Sequence, residues 1–240
     1  MHCHCHEIPI DTLKQFEEDT IIVIVSDDVE SSIASIELYR KLNNVIPCIG
    51  IHPWSIKDSS REDLDFIVSL VKKYDIVCLG EIGLDKRFVP ETIEKQRIFF
   101  NKFLELAKEY DLVLNLHTAG TWKEVFDLLI RNNIDKAYFH WYTGPLHVLE
   151  MIIEAGYYIG ANPAWKIQKK HREILMKTPI DSVITESDAP YNYRGLKLSP
   201  LHVKDTVKLL ADIHRISVED VKLAIWNNFY KLLGKHVSKK

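Results

Sequence analysis

Eight residues with metal-binding side chains stand at the ends of apolar runs in this chain: His4, His6, His52, Glu81, His117, His140, Glu186 and Asp188. Imidazole nitrogen and carboxylate oxygen make a hard-to-borderline donor set, suited to zinc, manganese, magnesium or cobalt rather than to a soft thiolate site. A carboxylate between two groups of histidines can bridge two cations, and Glu81 has that place in the series. Two cations close together activate a water and stabilise charge on a phosphoryl or acyl oxygen. Asp188, just past the last run, is placed to bind metal and to accept the proton of the attacking water. Taken singly, His52, His117 and His140 would be loop or core histidines more often than ligands, and Glu186 a structural carboxylate. The same ending repeated along the chain points to one shared site.

The elements that must position these residues read as alternating strands and helices. The start, Met1-His-Cys-His-Cys-His-Glu-Ile8, puts His2, His4 and His6 on one face of an extended segment and Cys3 and Cys5 on the other. Two imidazoles spaced i, i+2 can reach one divalent cation. Further strands are expected at 20–26, 45–52, 76–82, 112–117, 136–140, 157–161 and 182–186, mostly continuous apolar runs of the kind buried on both faces. Between them lie helical patterns around residues 33–42, 61–74, 91–110 and 122–132, then from Pro145 onward and at 169–176. Two more helices close the chain at about 200–214 and 218–233. Eight strands alternating with helices predict an α/β (β/α)8 TIM barrel, with the metal site at the C-terminal strand ends, in one domain over residues 1–240. A doubly wound sheet would need a glycine-rich nucleotide turn after an early strand, and none is present.

Composition narrows the class. Hydrophobic residues are 46% and charged residues 27% of the chain, ordinary for a globular protein with a substantial core. A formal net charge of -3 gives no global attraction to nucleic acid or to an anionic membrane, so any affinity for a polyanion must be local. No apolar run approaches a membrane span, and the start has no signal-peptide pattern. Cys48 and Cys78 fall inside apolar runs, where a thiol behaves as a small core residue, and a reduced, cytoplasmic protein is expected. His147, His171, His202, His214 and His236 fall in helices or tails and read as surface residues.

The pieces His4-Cys5-His6, Gly50-Ile-His-Pro-Trp54, Gly80-Glu-Ile-Gly-Leu-Asp85, Leu116-His117, Phe139-His140 and Glu186-Ser-Asp-Ala-Pro-Tyr191, in this order, resemble the TatD family of metal-dependent deoxyribonucleases. The resemblance spans essentially the whole chain, including Gln96 and Asn227-Asn228. It implies a TIM-barrel member of the amidohydrolase superfamily with one or two divalent ions (Mg, Mn or Zn). By motif, His4, His6, Glu81 and Asp188 would hold one ion, and Glu81, His117 and His140 the other. His52 would line a phosphate pocket and Glu186 would support the ligands from behind. The implied activity is hydrolysis of DNA phosphodiester bonds, from a strand end, with Glu81 and Asp188 as the catalytic carboxylates. The chain departs from the family where an acidic residue usually precedes the His-x-His pair by two positions, since His2 stands there. It departs again in the short segment after His6 and in the Trp-Tyr-Thr-Gly that follows His140.

Trp54, Trp122, Trp141 and Trp165 follow strand ends near the expected pocket mouth, where Trp54 and Trp141 in particular could stack on nucleobases. Lys166, Lys169, Lys170, Arg172, Arg194 and Lys197 could supply local positive charge. Two other readings use the same residues. One is a hydrolase of a small ester, lactone, amide or phosphoester on the same barrel. The other is a metal-binding protein without turnover, which predicts a closed coordination sphere. Glu81, standing where many amidohydrolases carry a carboxylated lysine, favours the nuclease.

Overall fold

A computed structural model describes residues 1–16 and 18–237, the side chains of 235–237 excepted. Seven strands, β1 (Ile22–Val25), β2 (Val45–Ile49), β3 (Cys78–Gly83), β4 (Val113–His117), β5 (Ala137–Phe139), β6 (Tyr158–Ala161) and β7 (Val183–Thr185), form one parallel sheet in chain order. A short helix α1 (Ile10–Lys14) precedes β1. The crossovers are α2 (Val29–Lys41), α3 (Arg61–Tyr74), α4 (Ile93–Tyr110), α5 (Trp122–Arg131), α6 (Leu146–Glu154) and α7 (Lys169–Lys177). After β7 come a hairpin, β8 (Asn192–Tyr193) with β9 (Leu196–Lys197), and the helices α8 (Val203–His214) and α9 (Val218–Val237). This is the (β/α) barrel architecture that the alternation predicts.

The eighth position differs from expectation. Residues 1–4 make only an isolated bridge, Cys3 with Ile24, rather than a strand. They nevertheless fill the gap between β7 and β1. Val25 N–H donates to Cys3 O on one side; on the other, Met1 N donates to Thr185 O, Ser187 and Asp188 N–H to His2 O, and His4 N–H to Ala189 O. A 3-10 turn at Cys5–Glu7 ends the extended segment directly after His4.

Strand alternation separates two cores. Outward residues such as Ile49, Leu79, Leu114, Phe139 and Ile159 pack under Ile67 and Leu70 of α3 and Phe99, Phe100 and Phe103 of α4. Inward residues Val23, Val25, Cys48, Cys78, Val113, Tyr138 and Ile184 fill the lower barrel against Phe229, Leu232 and Leu233 of α9. Asn228 on α9 also donates to Ile180 O and Val183 O, fixing the helix to the start of β7.

Four helix ends show why the chain turns where it does. Asp28 accepts from Ser31 N–H to cap α2, and Ser60 does the same from Asp63 N–H for α3. The helices α3 and α4 end at Asp75 and Asp111 in the left-handed region. Cys48 and Cys78 are fully buried core residues, as expected, but they are paired rather than free thiols, and Cys3 is paired with Cys5. Cys48 and Cys78 are register partners on β2 and β3, a juxtaposition set by strand pairing and invisible in the linear spacing. No helix among the described residues is long and apolar enough to cross a membrane.

Candidate metal centre

Most strands deliver their polar residue by continuing the inward alternation past the apolar layer; β3 is the exception, where a register irregularity between Leu79 and Ile82 breaks the alternation from Cys78 to Glu81. On β4 this gives Val113, Asn115, His117; past β7 it gives Ile184, Glu186, Asp188. Glu81 on β3 is fixed by backbone bonds to Ser26, whose N–H donates to Gly80 O and whose O accepts from Glu81 N–H. Gly83, at φ +145, lets the chain pass so close to β4 that a Cβ would lie 2.0 Å from His117 O. Gly160 on β6 leaves the space that Glu186 fills, since a Cβ there would stand 2.1 Å from its Oε2.

Four donor atoms converge: His2 Nε2, His4 Nε2, Glu81 Oε2 and Asp188 Oδ1. The two imidazole nitrogens are 3.3 Å apart, His2 is 3.3 Å from Glu81 and 3.5 Å from Asp188, and His4 is 3.4 Å and 3.5 Å from the same two oxygens. Tetrahedral ligands at about 2.1 Å from an ion lie about 3.4 Å from one another. The separations therefore fit a divalent cation. The other oxygen of Glu81, Oε1, belongs to a second group, 2.7 Å from His117 Nδ1 and 3.4 Å from His52 Nε2. Glu81 thus faces two donor groups with its two oxygens. His140 stacks on His2 with ring centroids 3.7 Å apart, and its Nε2 is 3.9 Å from Asp188 Oδ2.

Hydrogen bonds behind the rings decide which nitrogen is available. A ring N–H committed to an outer acceptor leaves the other nitrogen's lone pair facing inward. His2 Nδ1 donates to Asn115 Oδ1 (2.9 Å), His4 Nδ1 to Asp27 Oδ2 (3.1 Å), His117 Nε2 to Asp85 Oδ2 (3.0 Å) and His140 Nδ1 to Glu186 Oε2 (3.0 Å). His52 is the reverse: its Nδ1 accepts from Trp54 N–H, so its inward Nε2 carries a proton and is a donor. That proton faces His117 Nδ1 at 3.1 Å, so His52 joins the second donor group as a hydrogen-bond donor rather than as a lone-pair ligand.

These acceptors are themselves held. Asp85 also accepts from Trp54 Nε1–H (2.7 Å) and from the backbone N–H of Arg87 and Phe88, while Gln96 clamps its backbone from both sides. Glu186 accepts from Tyr138 OH, from Asn162 Nδ2–H and from Trp141 N–H.

Buried imidazoles and carboxylates hold one another charged in this site. Burial would strip the proton from His2, but Glu81 and Asp188 beside it hold its pKa up at about 10. His117, opposed by burial in the same way, is held at about 9 by Asp85 and Glu81. Burial would raise Glu81 and Asp188, yet the surrounding imidazoles keep both carboxyls well below their usual range. Burial lowers His52, which stays neutral as its donor role requires. Metal ions can take the place of these protons, and binding would release them.

Above the donors lies a cavity of about 640 Å³, walled by Trp54, Phe88, Trp122, Trp141, Tyr191 and Tyr193, with Arg87 and Arg194 among its charged residues. Trp165 is not among them. Its indole donates to Thr206 and packs with α8, which corrects its placement at the pocket mouth. Lys166 is paired with Asp205 and Arg172 lies over Trp165, so of the cations singled out in the sequence Arg194 alone lines the cavity. Arg87, not singled out, also does.

The expected ligands are brought together with one exchange. His4, Glu81, His117, His140 and Asp188 converge, but His6 does not: the 3-10 turn carries it to Asp27 and Glu7, at 3.6 Å and 3.8 Å. His2 occupies the place expected for His6. His117 and His140 lie in different groups, with His52 and Glu81 in one case and with His2 and Glu81 in the other, rather than together. His171, read as a surface residue, is fully buried, accepting from Asn162 N–H at Nε2 and donating to Tyr142 O from Nδ1. His147 is exposed, His202 and His214 are half-buried, and the side chain of His236 lies outside those described.

A profile of the TatD related DNase family matches residues 1–234. The chain is 28% identical over 225 residues to an uncharacterized metal-dependent hydrolase of Methanocaldococcus jannaschii, covering 92% of this chain and 88% of that one. It is 25% identical over 259 residues to human deoxyribonuclease TATDN3, covering 97% and 94%. In fold it is similar to the crystal structure of YjjV, a TatD homologue from Escherichia coli, with a TM-score of 0.86 and 24% identity over 97% of this chain and 96% of that chain.

Proposed function

The chain belongs to the TatD related DNase family of metal-dependent hydrolases, and from that premise we propose that it is a deoxyribonuclease, one domain over residues 1–240, cleaving DNA phosphodiester bonds from a strand end. The observation that carries this reading is the donor geometry: His2 Nε2 and His4 Nε2 stand 3.3 Å apart and each lies 3.3–3.5 Å from an oxygen of Glu81 and of Asp188, with the second oxygen of Glu81 turned to a further histidine. His2, His4, Glu81 and Asp188 would hold one divalent ion (Mg, Mn or Zn), Glu81 and His117 would contribute to a second, and His140 stands beside the first, with His2 and Glu81. When bound, such ions polarise a phosphoryl oxygen and acidify a water.

The chain's own residues supply the rest. Asp188, kept ionised by the imidazoles around it, accepts the proton of the attacking water. His52 lines the cavity and would meet a non-bridging phosphate oxygen there. Arg87 and Arg194 lie where flanking phosphates would enter, and Trp54 and Trp141 offer faces for bases. A cavity of about 640 Å³ has the scale of a small-molecule site, which suits a terminal nucleotide better than the middle of a duplex.

The test uses metal-stripped protein on single- and double-stranded DNA labelled at either end, with magnesium, manganese or zinc restored separately. Cation-dependent shortening from one end is expected, reduced by at least about 10³-fold in Glu81→Gln. Intact DNA in the presence of bound cation would overturn the nuclease reading. Phosphoesters, esters and lactones would then be the substrates to try.

A further inference from the structure

The chain carries three alternating histidines where one metal needs two, and His6 is left outside the central donor set. It is not left among inert neighbours. Its Nε2 faces Asp27 Oδ2 at 3.6 Å and Glu7 Oε1 at 3.8 Å, beyond hydrogen-bond reach of either, and its buried Nδ1 has no hydrogen-bond partner. A ring that only approaches two carboxylates and the Val25 backbone, without a well-formed side-chain hydrogen bond, is poorly satisfied as it stands. It is reasonable as a ligand set. Nitrogen and oxygen donors around a first-row cation stand about 3.4 Å apart, and these separations need close by only a few tenths of an ångström.

We propose that His6, Glu7 and Asp27 form a separate binding site for a divalent cation of the borderline class, zinc or manganese, at the edge of the same cavity. The outer site rests on the proposed metal centre for its setting, yet it uses none of the inward donor atoms of that centre. His4 is the wall between the two. Its Nε2 belongs to the central group and its Nδ1–H donates to Asp27, so it orients an outer ligand rather than serving as one. One imidazole with two carboxylates supplies three protein donors and leaves coordination positions open. Glu7 and Asp27 both line the cavity, so those positions face the space where substrate phosphates would lie. With Glu7 half in solvent at 55% exposure, the outer ion should exchange faster than the buried central ones.

The experiment is a cation count on the whole protein, independent of turnover. Metal-stripped wild type, His6→Asn, Glu7→Gln and Glu81→Gln are titrated with zinc by calorimetry and with manganese by electron paramagnetic resonance, and bound metal is measured after dialysis. The wild type is expected to bind one weaker equivalent beyond the central ions. His6→Asn should lose that equivalent alone. Glu7→Gln, altering an exposed side chain that cannot disturb folding, should weaken it by at least about tenfold. Glu81→Gln should weaken the central equivalents and leave the outer one. If His6→Asn and Glu7→Gln both bind as many cations as wild type with the same affinities, the outer site does not exist. If only Glu81→Gln is without effect, the central reading fails and the outer site stands.

Discussion

The two ends of the barrel interior are built from the same strands and are similarly buried, yet they have opposite chemistry. The lower end is Val23, Val25, Cys48, Cys78, Val113 and Ile184, closed by Phe229, Leu232 and Leu233. The upper end is His2, His4, Glu81, His117, His140 and Asp188, with Asn115 at the boundary. Hydrocarbon needs only to be packed without voids. Buried polar groups each need a partner, and His2, His4, His117 and His140 each have a dedicated acceptor behind them. The site is therefore a continuation of the core alternation in which volume requirements give way to hydrogen-bond requirements within two residues along a strand.

Exchanging the chemistry on β4 breaks the comparison most severely. Val113→Asn would bury an amide in the apolar half with no partner, costing about 3 kcal/mol or more. For a chain of this size that lowers Tm by roughly 6–12 °C, read in a thermal melt. The cation affinity of the folded fraction should stay within about twofold of wild type. Asn115→Val, two residues further up, removes the acceptor of His2 Nδ1–H and the donor to Met1 O. Its signature should be a loss of about 10–100-fold in central cation affinity. Should Asn115→Val bind zinc as tightly as wild type, His2 is not oriented by this contact and its assignment as a ligand weakens.

Two buried histidines sharpen the same contrast through pH. His2 sits among carboxylates and is held up at about 10; His171 sits among backbone groups and burial brings it down to about 4. A histidine whose folded pKa lies below the unfolded value of about 6.5 contributes its full stability above that value, and loses it as pH falls from there towards 4. His171 should then account for a loss of about 2 kcal/mol by pH 5. His2 has the opposite sign: without metal, its contribution is complete below about 6.5 and fades as pH rises through about 10. Melts of wild type and His171→Gln between pH 4 and 7.5 isolate the first effect, because the other histidines are common to both. The difference in Tm should shrink towards low pH. A constant difference would mean that His171 is charged or solvated in the fold.

These same residues mark what was legible in the sequence. Apolar runs ending in a ligand announced the strand ends, because alternation carries a core pattern into a site on most strands, although β3 reaches Glu81 only through a register irregularity between Leu79 and Ile82. The choice between His2/His4 and His4/His6 was not legible. Period-two spacing places all three histidines on one face, and the selection is made by a 3-10 turn at Cys5–Glu7 that the sequence does not signal. Asn115, Asp27, Asp85, Tyr138 and Asn162 were missed as supports. A polar residue inside a strand, or one opening a helix, has an ordinary local reading, and its role exists only through partners more than 20 residues away. The cysteine pairs were missed for a related reason, since the register of β2 against β3 is a property of the sheet and not of either run.

The smallest expected effect lies at the rim, where the upper half meets solvent. Trp54 donates Nε1–H to Asp85 Oδ2, the same oxygen that accepts from His117, while its ring stands edge-on to His52 and Phe88 with 44% of the residue exposed. Trp54→Phe keeps an aromatic face and removes one hydrogen bond to a charged group, worth about 1.5 kcal/mol or somewhat more in isolation. Asp85 retains His117 and two backbone donors, so the loss should be partly absorbed. If the indole serves chiefly as a stacking face, KM for single-stranded DNA rises about two- to fivefold in Trp54→Phe and kcat changes less than twofold, with a larger rise in KM for Trp54→Ala. A fall in kcat at unchanged KM would point the other way. The indole would then act through Asp85 on the orientation of His117, and the rim would belong to the hydrogen-bonded interior rather than to the substrate surface.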